Sequence, residues 1–199
     1  MASDLVLVVS GPSGAGKSTV VDALLRRGSV PGAFRVITRT TRQRREKERD
    51  GIDYIFVVED EFRRAADRGE FLEWAYVHSG YYGSPREPVL EALRQDRLPI
   101  LVVDVQGGLA LKKRLPQSVL VFLAPPSRET LEARITEASD RRNDLGLRLA
   151  NAEWEMRHTP YYDYVVTNDR VERAADDLEA VIRVERLRSH RRRAESLHP

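Results

Sequence analysis

Apolar positions along this chain follow two patterns. Short continuous apolar runs occupy residues 5–10, 99–105, 118–123 and 163–167. Runs of that length without alternation are the pattern of strands buried on both faces of a parallel sheet. Between them the spacing lengthens to a helical period. Val20, Val21, Leu24 and Leu25 share one side of a helix that Gly28 can end. Further helical patterns cover 88–97, 127–136, 147–157 and 173–191. Strands alternating with helices predict an α/β fold with a doubly wound parallel sheet of about five strands.

Two segments break the alternation. Residues 36–84 hold short strand-like pieces at 36–38, 55–58 and 74–77 around one helical pattern at 59–68. This reads as a small inserted lobe. Residues 138–144 are polar, arginine-rich and aperiodic, the composition of a mobile loop between helices. The basic stretch at 183–193 reads as a solvated helix end, not a nucleic-acid site.

Composition narrows the possibilities. The 199 residues fit one domain, and 41% hydrophobic content can fill its core. There are no cysteines, which excludes disulfides, thiolate metal sites and cysteine nucleophiles. No apolar run approaches the roughly 18–20 residues of a membrane span, and the start lacks a signal-peptide pattern. A cytoplasmic location with no membrane or nucleic-acid partner is the expectation. Net charge is +2, and the cations are nearly all arginine, since Lys17, Lys47, Lys112 and Lys113 are the only lysines. Arginine forks suit phosphate.

The chemistry begins at Gly11-Pro12-Ser13-Gly14-Ala15-Gly16-Lys17-Ser18, a full G-x-x-x-x-G-K-[ST] phosphate loop between a buried strand and an amphipathic helix. Its glycines let backbone N–H groups converge on phosphate oxygens, and the helix adds its positive end. Lys17 is expected to reach the β and γ phosphates, with its side chain exposed in the empty loop. Ser18 is the expected Mg²⁺ ligand. Alone, this loop specifies a nucleoside triphosphate.

Eight pieces in order resemble the guanylate kinase family: 10–18, 38–45, 50–54, 69–74, 81–84, 104–107, 124–127 and 163–169. The resemblance covers roughly residues 4–188. It implies a P-loop three-layer fold with an acceptor-binding lobe and a lid. The core would be 1–35, 86–135 and 148–199, the lobe 36–85 and the lid 136–147. It implies ATP and Mg²⁺ as cofactors and GMP as substrate. It places Gly11, Ser13, Gly14, Ala15, Gly16, Lys17, Ser18, Thr19 and Asn168 on ATP, and Lys17, Arg134 and Arg148 on the transferring phosphates. Glu73 and Asp104 would face the guanine donors, with Thr38 and Ser84 as hydroxyls facing O6. Arg42, Arg45, Tyr54 and Tyr82 would hold the GMP phosphate. No catalytic base is required, because the accepting phosphate oxygen is already ionised. The four histidines receive no role.

Three departures from the family pattern stand out. Val102 replaces an acid two positions before Asp104. The lid reads Thr136-Glu137-Ala138-Ser139 where the family has Arg-Gly-Arg-Gly, leaving Arg141 or Arg142 as substitutes for a lost arginine. Arg44 and Lys47 replace a proline and a glycine, while Glu48 keeps the family's acid. The sequence therefore leaves open dGMP, a modified guanine nucleotide or ribose 1,5-bisphosphate as acceptor, and a binding module without catalysis. Oligomeric state is not legible.

Overall fold

The computed structural model describes residues 4–77, 80–137 and 145–188. Five strands form one parallel sheet: β1 (Leu7–Ser10), β2 (Ala33–Arg35), β7 (Leu98–Val102), β8 (Val119–Ala124) and β9 (Tyr164–Thr167), in the order β2-β7-β1-β8-β9. Alternate residues of the continuous apolar runs feed opposite faces. Leu7 and Val9 join Val121 and Leu123 in one core with α1 (Lys17–Arg27) and α7 (Val171–Leu187). Val8 joins Leu101 and Leu120 in a second core with α3 (Arg86–Arg94) and α4 (Val105–Arg114). The result is a three-layer α/β/α stack. Burying each Leu, Ile or Val contributes about 1.5–3 kcal/mol, which explains why unalternated runs occupy the central strands.

A second, mixed sheet has the order β4-β3-β6-β5. It contains β3 (Arg39–Thr40), β4 (Ile55–Phe56), β5 (Phe71–Val77) and β6 (Gly80–Pro85). Phe62 of α2 (Glu59–Asp67) stacks on Phe71 at 4.6 Å between ring centroids, closing a small separate core with Ala65. A register irregularity between Phe71 and Glu73 re-aims β5. Phe71 then packs under α2 and Leu72 joins the main core, while Glu73 turns toward the cleft between the sheets.

Some boundaries differ from the sequence expectation. The second apolar run ends as a strand at Val102, and α4 starts at Val105 although no helix was expected there. Its start is fixed by Asp104, whose Oδ1 accepts the Gly107 N–H at 2.7 Å as an N-cap. β6 was also unexpected, because its two glycines and proline resemble a turn. Thr136 and Glu137 complete α5 (Arg128–Glu137), and 145–147 open α6 (Leu145–Met156), so both ends of the expected lid are helical. Its centre, 138–144 with Arg141 and Arg142, lies outside the described residues, as does the basic tail beyond Arg188. Among the described residues no helix is long and apolar enough to cross a membrane.

Candidate active site

The phosphate loop leaves the carboxyl end of β1 at the point where strand order reverses, β7 lying on one side and β8 on the other. Gly11 has φ +141°, and a Cβ there would lie 2.4 Å from the Leu123 carbonyl oxygen. Gly16, at φ +87°, caps α1 in the left-handed region, and a Cβ there would lie 2.5 Å from Asn168 Nδ2. Asn168 donates from that same Nδ2 to the Ala15 carbonyl at 2.7 Å, pinning the loop from beneath. Lys17 Nζ donates to the carbonyls of Gly11 (2.7 Å) and Pro12 (3.0 Å). It is half-buried and turned back on its own loop, not exposed as expected.

A cavity of about 690 Å³ runs from this loop to the small sheet. Ser13, Gly14, Gly16, Lys17, Ser18 and Thr19 line one end together with Arg134, and Thr38, Arg42, Arg45, Tyr54, Glu73 and Tyr82 the other, with Asp104 between. Glu73 and Ser84 face each other across β5 and β6, and Ser84 Oγ donates to Glu73 Oε1 at 2.6 Å. Ser84 itself is buried and absent from the cavity wall. Arg42 donates from Nε to the Tyr82 phenol oxygen (2.9 Å) and from Nη2 to Glu48 Oε1 (2.7 Å). Glu48 Oε2 accepts the Arg45 backbone N–H at 2.9 Å, so one carboxylate folds the arginine loop around both cations. Arg134 Nη2 donates to the Asn168 carbonyl at 3.1 Å, while its buried Nη1 has no partner among the described residues. Arg148 reaches Ser13 Oγ at 3.3 Å.

The sequence reading missed Glu155 of α6. Its Oε2 accepts the Ser13 backbone N–H at 3.4 Å, and it lines the cavity beside Lys17. An acid on an amphipathic helix carries no local signal for this, because only the packing of α6 brings it to the loop. Burial drives the electrostatics. It lowers the Lys17 ammonium, against the pull of Glu155 and Asp104. Burial raises Glu155 to about 7, with Lys17 opposing. Burial also raises Glu73 to about 7, the Ser84 hydrogen bond opposing and the Asp104 charge adding to it. Burial works against the Arg42 charge as well, but bonding to Glu48 and Tyr82 outweighs it and holds the guanidinium above its ordinary value.

Residues 3–185 match the guanylate kinase family. A guanylate kinase of Myxococcus xanthus is 44% identical over 189 residues, covering 94% of this chain and 90% of its own. One of Carboxydothermus hydrogenoformans is 39% identical over 192 residues, covering 96% and 93%. This chain belongs to the guanylate kinase family. The crystal structure of guanylate kinase from Anaplasma phagocytophilum superposes with a TM-score of 0.81 at 31% identity, covering 96% of this chain and 90% of that one. In this guanylate kinase family member the phosphate loop and the Arg42–Tyr82 pair share one continuous cleft. Val102 lines that cleft where an acid was the family expectation.

Proposed function

We propose that this guanylate kinase family member transfers the γ-phosphoryl group of ATP to the phosphate of GMP. One observation carries the reading. A carboxylate oriented by a buried hydroxyl, Glu73 on Ser84, sits at the far end of a cleft that begins at the phosphate loop. Guanine presents N1–H and N2–H₂ donors to such an acceptor, whereas adenine presents an acceptor at N1. Asp104 keeps one oxygen on the Gly107 amide, and its remaining acceptor capacity faces the same cleft.

In this mechanism the loop amides, the N-terminus of α1 and Lys17 bind the ATP phosphates, with Asn168 and Thr19 supporting the nucleotide side. Arg42, Arg45, Tyr54 and Tyr82 hold the GMP phosphate. An oxygen of that phosphate attacks the γ-phosphorus, and the bond to the β–γ bridging oxygen breaks, giving GDP and ADP. No proton has to leave the attacking oxygen. Arg134 and Arg148 approach the loop from α5 and α6 and offset charge on the transferring group. The donor set suits a magnesium ion carried chiefly by phosphate oxygens. Ser18 offers an exposed hydroxyl, and no group of three or more His, Asp or Glu side chains among the described residues could hold a metal ion. Bound there through Ser18, Mg²⁺ would neutralise phosphate charge.

A coupled ADP-release assay across GMP, dGMP, AMP, CMP, UMP and ribose 1,5-bisphosphate tests the reading. GMP is expected to give the highest kcat/KM. No ADP release with any acceptor would overturn catalysis, and preference for a non-guanine acceptor would overturn the substrate.

A further inference from the structure

Arg35, the last residue of β2, bridges the two halves of the cleft. Its Nη1 donates to Asp22 Oδ1 (3.0 Å) and Oδ2 (3.3 Å) on α1. Its Nη2 donates to the backbone carbonyls of Ile52 (2.7 Å) and Asp53 (3.2 Å). The side chain is only 11% exposed. Both ends of this bridge lead to a nucleotide site. Asp22 lies little more than one turn beyond Lys17 and Ser18, on the helix that the phosphate loop opens. On the other side, Ile52 and Asp53 belong to a turn closed by the Gly51 N–H on the Tyr54 carbonyl (2.8 Å) and the Arg49 N–H on Asp53 Oδ2 (2.7 Å). That turn delivers Tyr54, whose ring packs edge-on to Tyr82 and lies 5.5 Å beneath the Arg42 guanidinium.

We infer that Arg35 is a positioning residue that fixes the acceptor-phosphate cluster against the phosphate-loop helix, setting the distance between donor and acceptor. Four hydrogen bonds from one planar fork define an orientation as well as a distance, which a single flexible cation could not do. Among the described residues, β4 pairs with β3 inside the small sheet, and the turn at 49–54 has no strand partner in the main sheet. The guanidinium therefore takes the place of a ladder between the sheets. Misplacing a bound reactant by about an ångström can cost on the order of a hundredfold in rate, so such a tie acts on catalysis without touching substrate.

The inference rests on the proposed GMP site, and its test separates the two. Binding of GMP and of a non-hydrolysable ATP analogue is measured by calorimetry for the wild type, Arg35→Gln, Arg35→Lys and Asp22→Asn, with turnover alongside. Wild-type failure to bind GMP would reject the functional reading itself. Given wild-type binding, Arg35→Gln is expected to weaken GMP about tenfold and lower kcat further, leaving the ATP analogue within twofold. Arg35→Lys should recover only part of the loss. Asp22→Asn should show a smaller loss confined to GMP, and it serves alone if the Arg35 variants do not fold. The losses of Asp22→Asn and Arg35→Gln should be non-additive in the double variant. Unchanged GMP affinity and turnover, or equal losses for both nucleotides, would overturn the inference.

Discussion

Arg42 donates its Nε proton to the phenol oxygen of Tyr82 at 2.9 Å. The phenol is thereby an acceptor on one side, and its own hydrogen is free to point into the cleft. Arg42 is at the same time braced by Glu48 and stacked on Tyr54. In the proposed function a cation and a phenol proton so fixed would receive the GMP phosphate with little ordering left to be done on binding.

Arg42→Lys is therefore expected to raise the KM for GMP ten- to a hundredfold, on the basis of about 1.5–3 kcal/mol for lost charge-assisted bonds. A lysine cannot hold Tyr82 and Glu48 together, so the loop is expected to lose order as well. Steady-state kinetics with varied GMP, at saturating ATP, checks this. A KM within twofold of wild type would remove Arg42 from the acceptor site.

Lys17→Ala is expected to abolish turnover, falling by at least about a hundredfold, as for loss of a single transition-state donor. The Nζ donates to the Gly11 and Pro12 carbonyls, and it must swing off them to meet phosphate. The substitution removes two hydrogen bonds at the cavity wall and no packing of the hydrophobic core, so the melting temperature should move only slightly. Retention of near-normal turnover by a folded variant would deny Lys17 its role.

Glu155 supplies a pH-dependent prediction. Burial raises its folded value to about 7, above the ordinary 4.5. Between those values the unfolded chain has released a proton that the folded chain retains. The stabilising contribution is thus full below about 4.5 and is lost as pH rises through about 7, a change of roughly 3 kcal/mol at most. Glu155→Gln has no such loss, so its melting temperature relative to wild type should climb from pH 5 to pH 8. Parallel pH profiles would show that Glu155 titrates normally. The same substitution removes a negative charge beside Lys17 and the Ser13 amide, and nucleotide affinity at pH 8 should rise several-fold.

The parts written locally were readable in advance. A continuous apolar run followed by the phosphate-loop glycines announces β1 and the start of α1, because buried parallel strands and left-handed turns leave direct compositional marks. α4 left a contrary mark. Gly107 and Gly108 in its first turns depress helix propensity, and tertiary packing together with the Asp104 cap overrides it. The strand β6 was hidden for the same reason, its glycines and proline being tolerated where β3 and β5 flank it. Ser84 was expected at the base, and what the sequence did not show is the register that sets it opposite Glu73, where its hydroxyl donates to the carboxylate. Glu155 and Arg35 had no local signal at all, since their meaning comes from partners more than a hundred and more than ten residues away, respectively.

Glu73 is the side chain that the proposed function assigns to the base, and its substitution is the most direct test of the acceptor site. The residue is 5% exposed, and Oε1 already accepts the Ser84 hydroxyl, which in the proposed function leaves Oε2 for guanine. Burial raises its carboxyl to about 7. Guanine donors need the ionised form, so GMP affinity should rise with pH through about 7 and level off above it. Glu73→Gln should flatten that dependence, and comparison of the two proteins on the same ligand cancels the titration of the GMP phosphate. The amide oxygen would keep the Ser84 bond, which turns the NH₂ toward guanine N1–H and N2–H₂, donor against donor. A lost bond to a charged acceptor and an unpaired buried donor are each worth on the order of 1.5–3 kcal/mol. The expected loss in kcat/KM for GMP is ten- to a few hundredfold, with weak activity on AMP much less affected because Arg42 and Arg45 still hold a phosphate. The fold should tolerate the change, since the neutral amide removes the cost of burying a charge. Equal losses for GMP and AMP, or a pH profile shared by the wild type and the Glu73→Gln variant, would show that another group reads the base.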